Sequence, residues 1–177
     1  MAGHSDNDLA LPEFDRATKI AIVIAPYYTK IAEAQLASAR AVIERSGAAH
    51  ETFEVPGSLE VPTAIATLHR HSNFDGYVAL GCVIRGRTSH YDVVVDQSAH
   101  AIMLLGLQGA SIGNGIITVE NVEQAEERAD VKRLDTAGGA AQAALHLVAL
   151  ARRFGKSEKP MGFTQDILLA DKGSTTT

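Results

Sequence analysis

Four times along this chain a short strand-like run, three of them apolar and one (50–55) alternating, is followed by a segment of helical composition. That alternation restricts the fold more than any other feature. A helix between two strands carries the chain back over the sheet, so successive strands run parallel and helices cover both faces. The runs are residues 19–25 (KIAIVIA, ended by Pro26), 50–55, 76–82 (GYVALGC) and 115–119 (GIITV). The first has no polar interruption, as expected of a strand buried on both faces. The helical segments are residues 31–46, closing at Gly47; 59–71, with Pro62 in its first turn; 89–107; 122–129; and 136–154. Glycine just past a helix and proline just inside one are the usual terminal signals. The expected fold class is therefore α/β, with a four-stranded parallel sheet between helical layers.

The chain has 177 residues, of which 46% are hydrophobic and 21% charged, which excludes disorder as the main state. Residues 19–154 hold all the periodic segments and form one domain; residues 1–18 read as an arm and 155–177 as a polar tail. The net charge of −5 argues against sequence-independent nucleic-acid binding, which needs clustered cations. Cys82 is the only cysteine, so neither a disulfide framework nor a thiolate metal cluster is expected. The start, MAGHSDNDLALPEFD, lacks the basic-then-apolar layout of a signal peptide, and a cytoplasmic location is the expectation. Residues 101–119 carry no formal charge over 19 positions, long enough to suggest a membrane span. Gly106, Gly109, Gly113, Asn114 and Gly115 argue against that and read as a loop between helix and strand.

In parallel α/β folds ligands bind at the carboxyl ends of the strands. Here those ends are Pro26-Tyr27, residues 56–60, residues 81–90 and Glu120-Asn121. The unusual residues of the chain gather at the same places. Residues 81–92 read GCVIRGRTSHYD. Gly81, Gly86, Arg87 and Thr88 imitate a nucleotide phosphate loop, yet Arg replaces the lysine and the segment follows the third strand rather than the first. The underlying physics still favours one phosphate. A glycine turn entering a helix offers free N–H groups and a positive dipole end, with Thr88 as a hydroxyl donor and Arg85 and Arg87 as charges. The plain alternative is a helix cap formed by Thr88 or Ser89 beside two solvated arginines.

His90 opens that helix and is a candidate for proton transfer; a lone histidine is more often structural. In residues 55–62, VPGSLEVP, Ser58 and Glu60 stand at a strand end where they can bind ligand hydroxyls or simply cap the helix. Tyr27 or Tyr28 can stack on a flat heterocycle or merely rim the site. Arg128 stands among Glu123, Glu126 and Glu127, paired with them or free to hold a phosphate. The segment 89–107 is apolar beyond one stripe: Tyr91, Val94, Val95, Ala101, Ile102 and Leu105 share a face, while Val93, Met103 and Leu104 do not. Such a helix is buried on several sides, which points to a homo-oligomer or to a central core helix.

Taken in order, VPGSLEVP (55–62), GCVIRGRTSHYD (81–92), GNGIITVENVEQAEERA (113–129) and GGAAQAAL (138–145) resemble the 6,7-dimethyl-8-ribityllumazine synthase family. The resemblance covers residues 19–154. It implies a flavodoxin-like three-layer α/β/α sandwich. It implies condensation of 5-amino-6-(D-ribitylamino)uracil with 3,4-dihydroxy-2-butanone 4-phosphate, the penultimate step of riboflavin biosynthesis. No metal or redox cofactor is implied. By motif, His90 would transfer protons, and Arg128, Arg87 and Thr88 would hold the butanone phosphate. Tyr27 would stack on the pyrimidine, Ser58, Leu59 and Glu60 would hold the ribityl chain, and Cys82, Val83 and Ile84 would meet the pyrimidine through backbone groups. Asn114 would reach a neighbouring subunit's site, within a pentamer or decamer.

Three features depart from the family pattern. Asn114 stands where many members have Phe, and Ala137 where Lys is frequent, leaving Lys132 as a substitute cation. The link 129–139 is longer than in capsid-forming members, which disfavours a sixty-subunit shell. A weakly catalytic flavin- or lumazine-binding paralogue is the alternative reading from another functional class.

Overall fold

The computed structural model describes residues 9–155; the expected tail beyond Gly155 and the first eight residues of the arm lie outside the described residues. Nine elements follow in order: β1 (Lys19–Ile24), α1 (Thr29–Arg45), β2 (Ala49–Glu54), α2 (Glu60–His71), β3 (Gly76–Ile84), α3 (His90–Leu107), β4 (Ile112–Val119), α4 (Val122–Ala129) and α5 (Thr136–Phe154). The strands form one parallel sheet in the order β2-β1-β3-β4. The inner strands are the most apolar, as burial on both faces requires: Ile20 to Ile24 of β1 are each wholly inaccessible. Edge strand β2 (AHETFE) alternates exposed and half-buried positions instead.

Helices α1, α4 and α5 pack on one face, and α2 and α3 on the other. On the first face Ala137, Ala140, Ala141 and Ala144 of α5 lie against α1 and the sheet, where short side chains let backbones approach closely. These alanines thus serve tight helix packing. Leu11 and Phe14 of the arm also pack on this core, and Arg152 of α5 holds the arm through Thr18 Oγ1 at 2.7 Å and the Ala17 carbonyl at 3.1 Å.

Most boundaries fall within two residues of expectation, and two of the differences have packing reasons. β4 begins at Ile112, so Gly113, Asn114 and Gly115 are strand rather than loop. A Cβ on Gly113 would overlap the backbone carbonyl of Ala140, so this glycine permits α5 to cross β4 closely; the turn itself falls at Gln108-Gly109. The uncharged stretch 101–119 is thereby divided between α3, a turn and β4, and no helix among the described residues is long and apolar enough to cross a membrane. β3 runs on to Ile84, two residues further than expected, because β4 pairs with it as far as Ile84–Val119.

The strand order reverses between β1 and β3. In doubly wound sheets that switch point opens a crevice above the carboxyl ends, since successive crossovers leave in opposite directions.

Candidate active site

The crevice is present at the switch point. A groove of about 430 Å³ is lined by Tyr27 and Tyr28 after β1, Pro56 to Glu60 after β2, Cys82 to Ile84 at the end of β3, and His90 and Val94 of α3. Four separate chain segments therefore converge on one cavity. A larger cleft of about 580 Å³ lies between α1 and the end of α4, and none of the expected site residues lines it.

The wall of the groove follows from unequal strand lengths. β1 pairs with β3 only as far as Ile24–Leu80, and the Ala25 N–H closes that ladder on the Leu80 carbonyl at 3.1 Å. β3 continues for four residues with β4 on its other side. The edge of Cys82, Val83 and Ile84 that faces the groove thus has no strand beside it, and peptide groups left open in this way pair with a ligand or with water.

Behind that edge stands Gln35 of α1, wholly buried, whose Nε2 donates to the Gly81 carbonyl at 3.1 Å and the Gly115 carbonyl at 2.9 Å. Sequence reading missed this support. Its signal was a glutamine on the buried stripe formed by Ile31, Ser38 and Val42. Val94 was likewise read only as part of an apolar stripe, although it lines the groove.

The two tyrosines separate clearly. Tyr28 is half-buried on Cys82 and its neighbours, and burial raises its phenol pKa, with Cys82 and Tyr27 adding to the effect. Tyr27 is 75% exposed at the rim and meets Tyr28 in a T-shaped contact with ring centroids 5.1 Å apart. Ser58 is buried against Gly81, while Leu59 and Glu60 remain exposed at the start of α2. Burial pushes the Cys82 thiol up to about 11, so it is a neutral apolar wall rather than a nucleophile.

A family model, 6,7-dimethyl-8-ribityllumazine synthase, matches residues 17–152. The chain belongs to that family. It is similar to a 6,7-dimethyl-8-ribityllumazine synthase of Jannaschia sp., 70% identical over 163 residues, which spans 92% of this chain and 92% of that protein. The enzyme of the same name from Sphingopyxis alaskensis is 51% identical over 136 residues, 77% of this chain and 96% of the relative. The one from Bartonella tribocorum is 45% identical over 147 residues, 82% of this chain and 97% of the relative. The α/β architecture is that of the lumazine synthase family, whose enzymes serve riboflavin biosynthesis.

Against the family's motifs, the remaining residues fall into two groups. Arg87 and Thr88 are exposed in the loop that precedes α3; neither lines the groove, although His90, two residues after Thr88, does. Thr88 Oγ1 accepts a long bond of 3.4 Å from the His90 N–H, so it serves as a weak cap and keeps its own proton to donate. Arg85 does not supply free charge as expected: its guanidinium is engaged by Asp92 at 2.9 Å and Glu120 at 2.9 Å. The phosphate-loop imitation also fails, because Gly81 to Ile84 are extended strand.

Arg128 and Asn114 do not line the groove. Arg128 lies on α4, where it donates to the Gln124 carbonyl at 3.2 Å and stands 4.0 Å from Glu127, a loose pairing. Asn114 is exposed on β4, with its side-chain oxygen accepting from the Ile116 N–H at 3.1 Å. Gly113 and Gly115 turn toward α5, so by strand alternation Asn114 faces the side of the sheet that carries α3. Ala137 is wholly buried in the α1–α5 packing, and Lys132 is exposed in the link.

Proposed function

We propose that this chain condenses 5-amino-6-(D-ribitylamino)uracil with 3,4-dihydroxy-2-butanone 4-phosphate to 6,7-dimethyl-8-ribityllumazine, releasing phosphate and water. Family membership supports the reaction. The observation that carries it to particular residues is the open edge of β3, in a groove that residues 58–60 and His90 also line.

The groups then divide by chemistry. The pyrimidine lies along the backbone of Cys82 to Ile84 with its face on Tyr27, and an aromatic ring of Tyr supplies dispersion over a flat heterocycle. Ser58, Leu59 and Glu60 receive the ribityl chain, where a carboxylate accepts from several hydroxyls at once. The phosphate sits at the N-terminus of α3 with Arg87 and Thr88, where backbone N–H groups and the helix dipole favour an anion. The amine attacks the ketone carbonyl and loses water to form an imine, phosphate is eliminated, and ring closure expels a second water. Holding both reactants in one groove removes much of the entropic barrier, and His90 moves the protons that each step requires. No metal or redox cofactor takes part in this proposal.

Arg128 and Asn114 complete the site from a second copy of the chain. Support comes from their absence from the lining of the same-chain groove and from α3, which leaves Val93, Met103, Leu104 and Leu107 between 46% and 80% exposed. Burying such apolar area between subunits gains about 25 cal/mol per Å². The functional unit is a homopentamer or a pair of pentamers in the cytoplasm, with the long link 129–139 disfavouring a sixty-subunit shell; a megadalton mass in solution contradicts this. Residues 19–154 form the synthase domain.

The deciding experiment is lumazine formation by the purified chain supplied with both substrates. The family match does not favour a weakly catalytic flavin-binding paralogue. Tight riboflavin binding without turnover would restore that alternative.

A further inference from the structure

Arg85 joins three elements around the groove. Its backbone N–H donates to the Val119 carbonyl at 2.9 Å, which seats it at the end of both β3 and β4. Its Nε lies 2.9 Å from one carboxylate oxygen of Glu120 and 3.0 Å from the other. Its Nη1 donates to Asp92 Oδ1 at 2.9 Å, and its Cζ stands 4.0 Å from the centre of the Tyr91 ring. Tyr91 and Asp92 belong to the first turn of α3, immediately after His90.

That first turn has little else to hold it. Ser89, at the cap position, makes no side-chain bond to the turn, and the Thr88 contact is long. Among the described residues no other ion pair reaches residues 86–92. A planar guanidinium has donors for two carboxylates and a face for an aromatic ring, a combination that the point charge of Lys does not reproduce.

We propose that Arg85 is a positioning residue, clamping the first turn of α3 to the ends of β3 and β4 so that His90 is held against the open edge of Val83 and Ile84. The residue acts through His90 and touches no substrate. Its charge is spent on Asp92 and Glu120, leaving the attraction for phosphate to other groups. The proposal rests on the reading of His90 as the proton-transfer residue.

The test compares Arg85→Gln in two backgrounds, with kcat measured under saturating concentrations of both substrates. A displacement of about 1 Å at a reacting group can cost 10²-fold, so Arg85→Gln is expected to lower kcat about tenfold or more in the wild type. In the His90→Ala background the same substitution is expected to change kcat by less than about twofold, because the group it positions is gone. Arg85→Lys, which keeps the charge but not the fork, is expected to recover little of the loss. Thermal melting and solution mass identify variants that remain folded and assembled, and Arg85→Lys carries the test if Arg85→Gln does not fold. Equal losses in both backgrounds, or a wild-type kcat in Arg85→Gln, overturn the proposal. If His90→Ala alone keeps the wild-type rate, the His90 reading fails and the positioning role falls with it.

Discussion

Ser58 rests directly on Gly81: its hydroxyl oxygen lies 2.8 Å from the point where a Cβ on Gly81 would stand. The turn that follows β2 is thereby seated on the end of β3, which places the proposed ribityl-binding residues Ser58 to Glu60 beside the open backbone edge. Any side chain at position 81 must push the turn outward or rotate Ser58. Overpacking of this kind costs about 1–3 kcal/mol. Gly81→Ala is expected to lower the melting temperature and raise KM for the ribitylaminouracil several-fold, with a smaller effect on KM for the butanone phosphate. Equal KM values in a folded variant would show that the seating of Ser58 does not matter for binding.

His90 is exposed at the first position of α3, so its truncation removes little packing. Exposed substitutions of this kind usually stay within about 0.5 kcal/mol of wild-type stability. A general acid–base group contributes about 10²- to 10⁴-fold. His90→Ala is accordingly expected to lower kcat by about 10²-fold, with an unchanged melting curve and both KM values within a few-fold. An unaltered kcat removes His90 from the mechanism.

Arg128 is only loosely held by its own chain, with one carbonyl at 3.2 Å and one carboxylate at 4.0 Å. That leaves donors for a phosphate. A charge-assisted bond contributes about 1.5–3 kcal/mol, and about 1.4 kcal/mol is a factor of ten. Arg128→Ala is expected to raise KM for the butanone phosphate about tenfold or more and to leave KM for the uracil within twofold. Because the proposed site is completed by a second copy, mixing His90→Ala chains with Arg128→Ala chains before assembly should restore some intact sites. Activity in such mixtures that never exceeds that of the separate variants would place Arg128 and His90 on one chain.

The sequence patterns were most legible where physics acts locally. Residues 19–25 could only be a central strand, since an unbroken apolar run is costly anywhere else, and the glycine and proline signals bounded the helices to within about two residues. The convergence of Tyr27, Ser58, Cys82 and His90 also followed, because parallel sheets put ligand sites at strand ends. Legibility failed where one residue type serves two purposes. Gly113 and Gly115 have a turn's composition, yet they are in a strand to admit α5, and only the partner helix distinguishes the two uses. It failed again for Arg85, whose partner Glu120 is 35 positions away in sequence, so its neutralisation depends on the β3–β4 pairing. Arg128 and Asn114 were assigned by motif alone, and a single chain does not bring them to the groove.

Cys82 links the site to the pH dependence of stability. Burial raises its thiol from 9.0 to about 11, because the thiolate is poorly solvated beside Ile31 and Ile117. The sign follows from the two states. Below pH 9 the thiol is neutral in both, and it adds no pH dependence. Between pH 9 and 11 the unfolded chain ionises while the folded chain does not, so unfolding gains free energy and stability falls as pH rises. Two pKa units correspond to about 2.7 kcal/mol at the most, since one unit is about 1.36 kcal/mol. Cys82→Ala removes this contribution at the cost of a small void. Its unfolding free energy is expected to fall less than that of the wild type between pH 8.5 and pH 10.5, and the wild-type thiol is expected to resist alkylation at pH 8.5 in the folded state. Parallel losses in the two proteins across that range, or rapid alkylation of the folded wild type, would mean that Cys82 is not buried as a neutral thiol in solution.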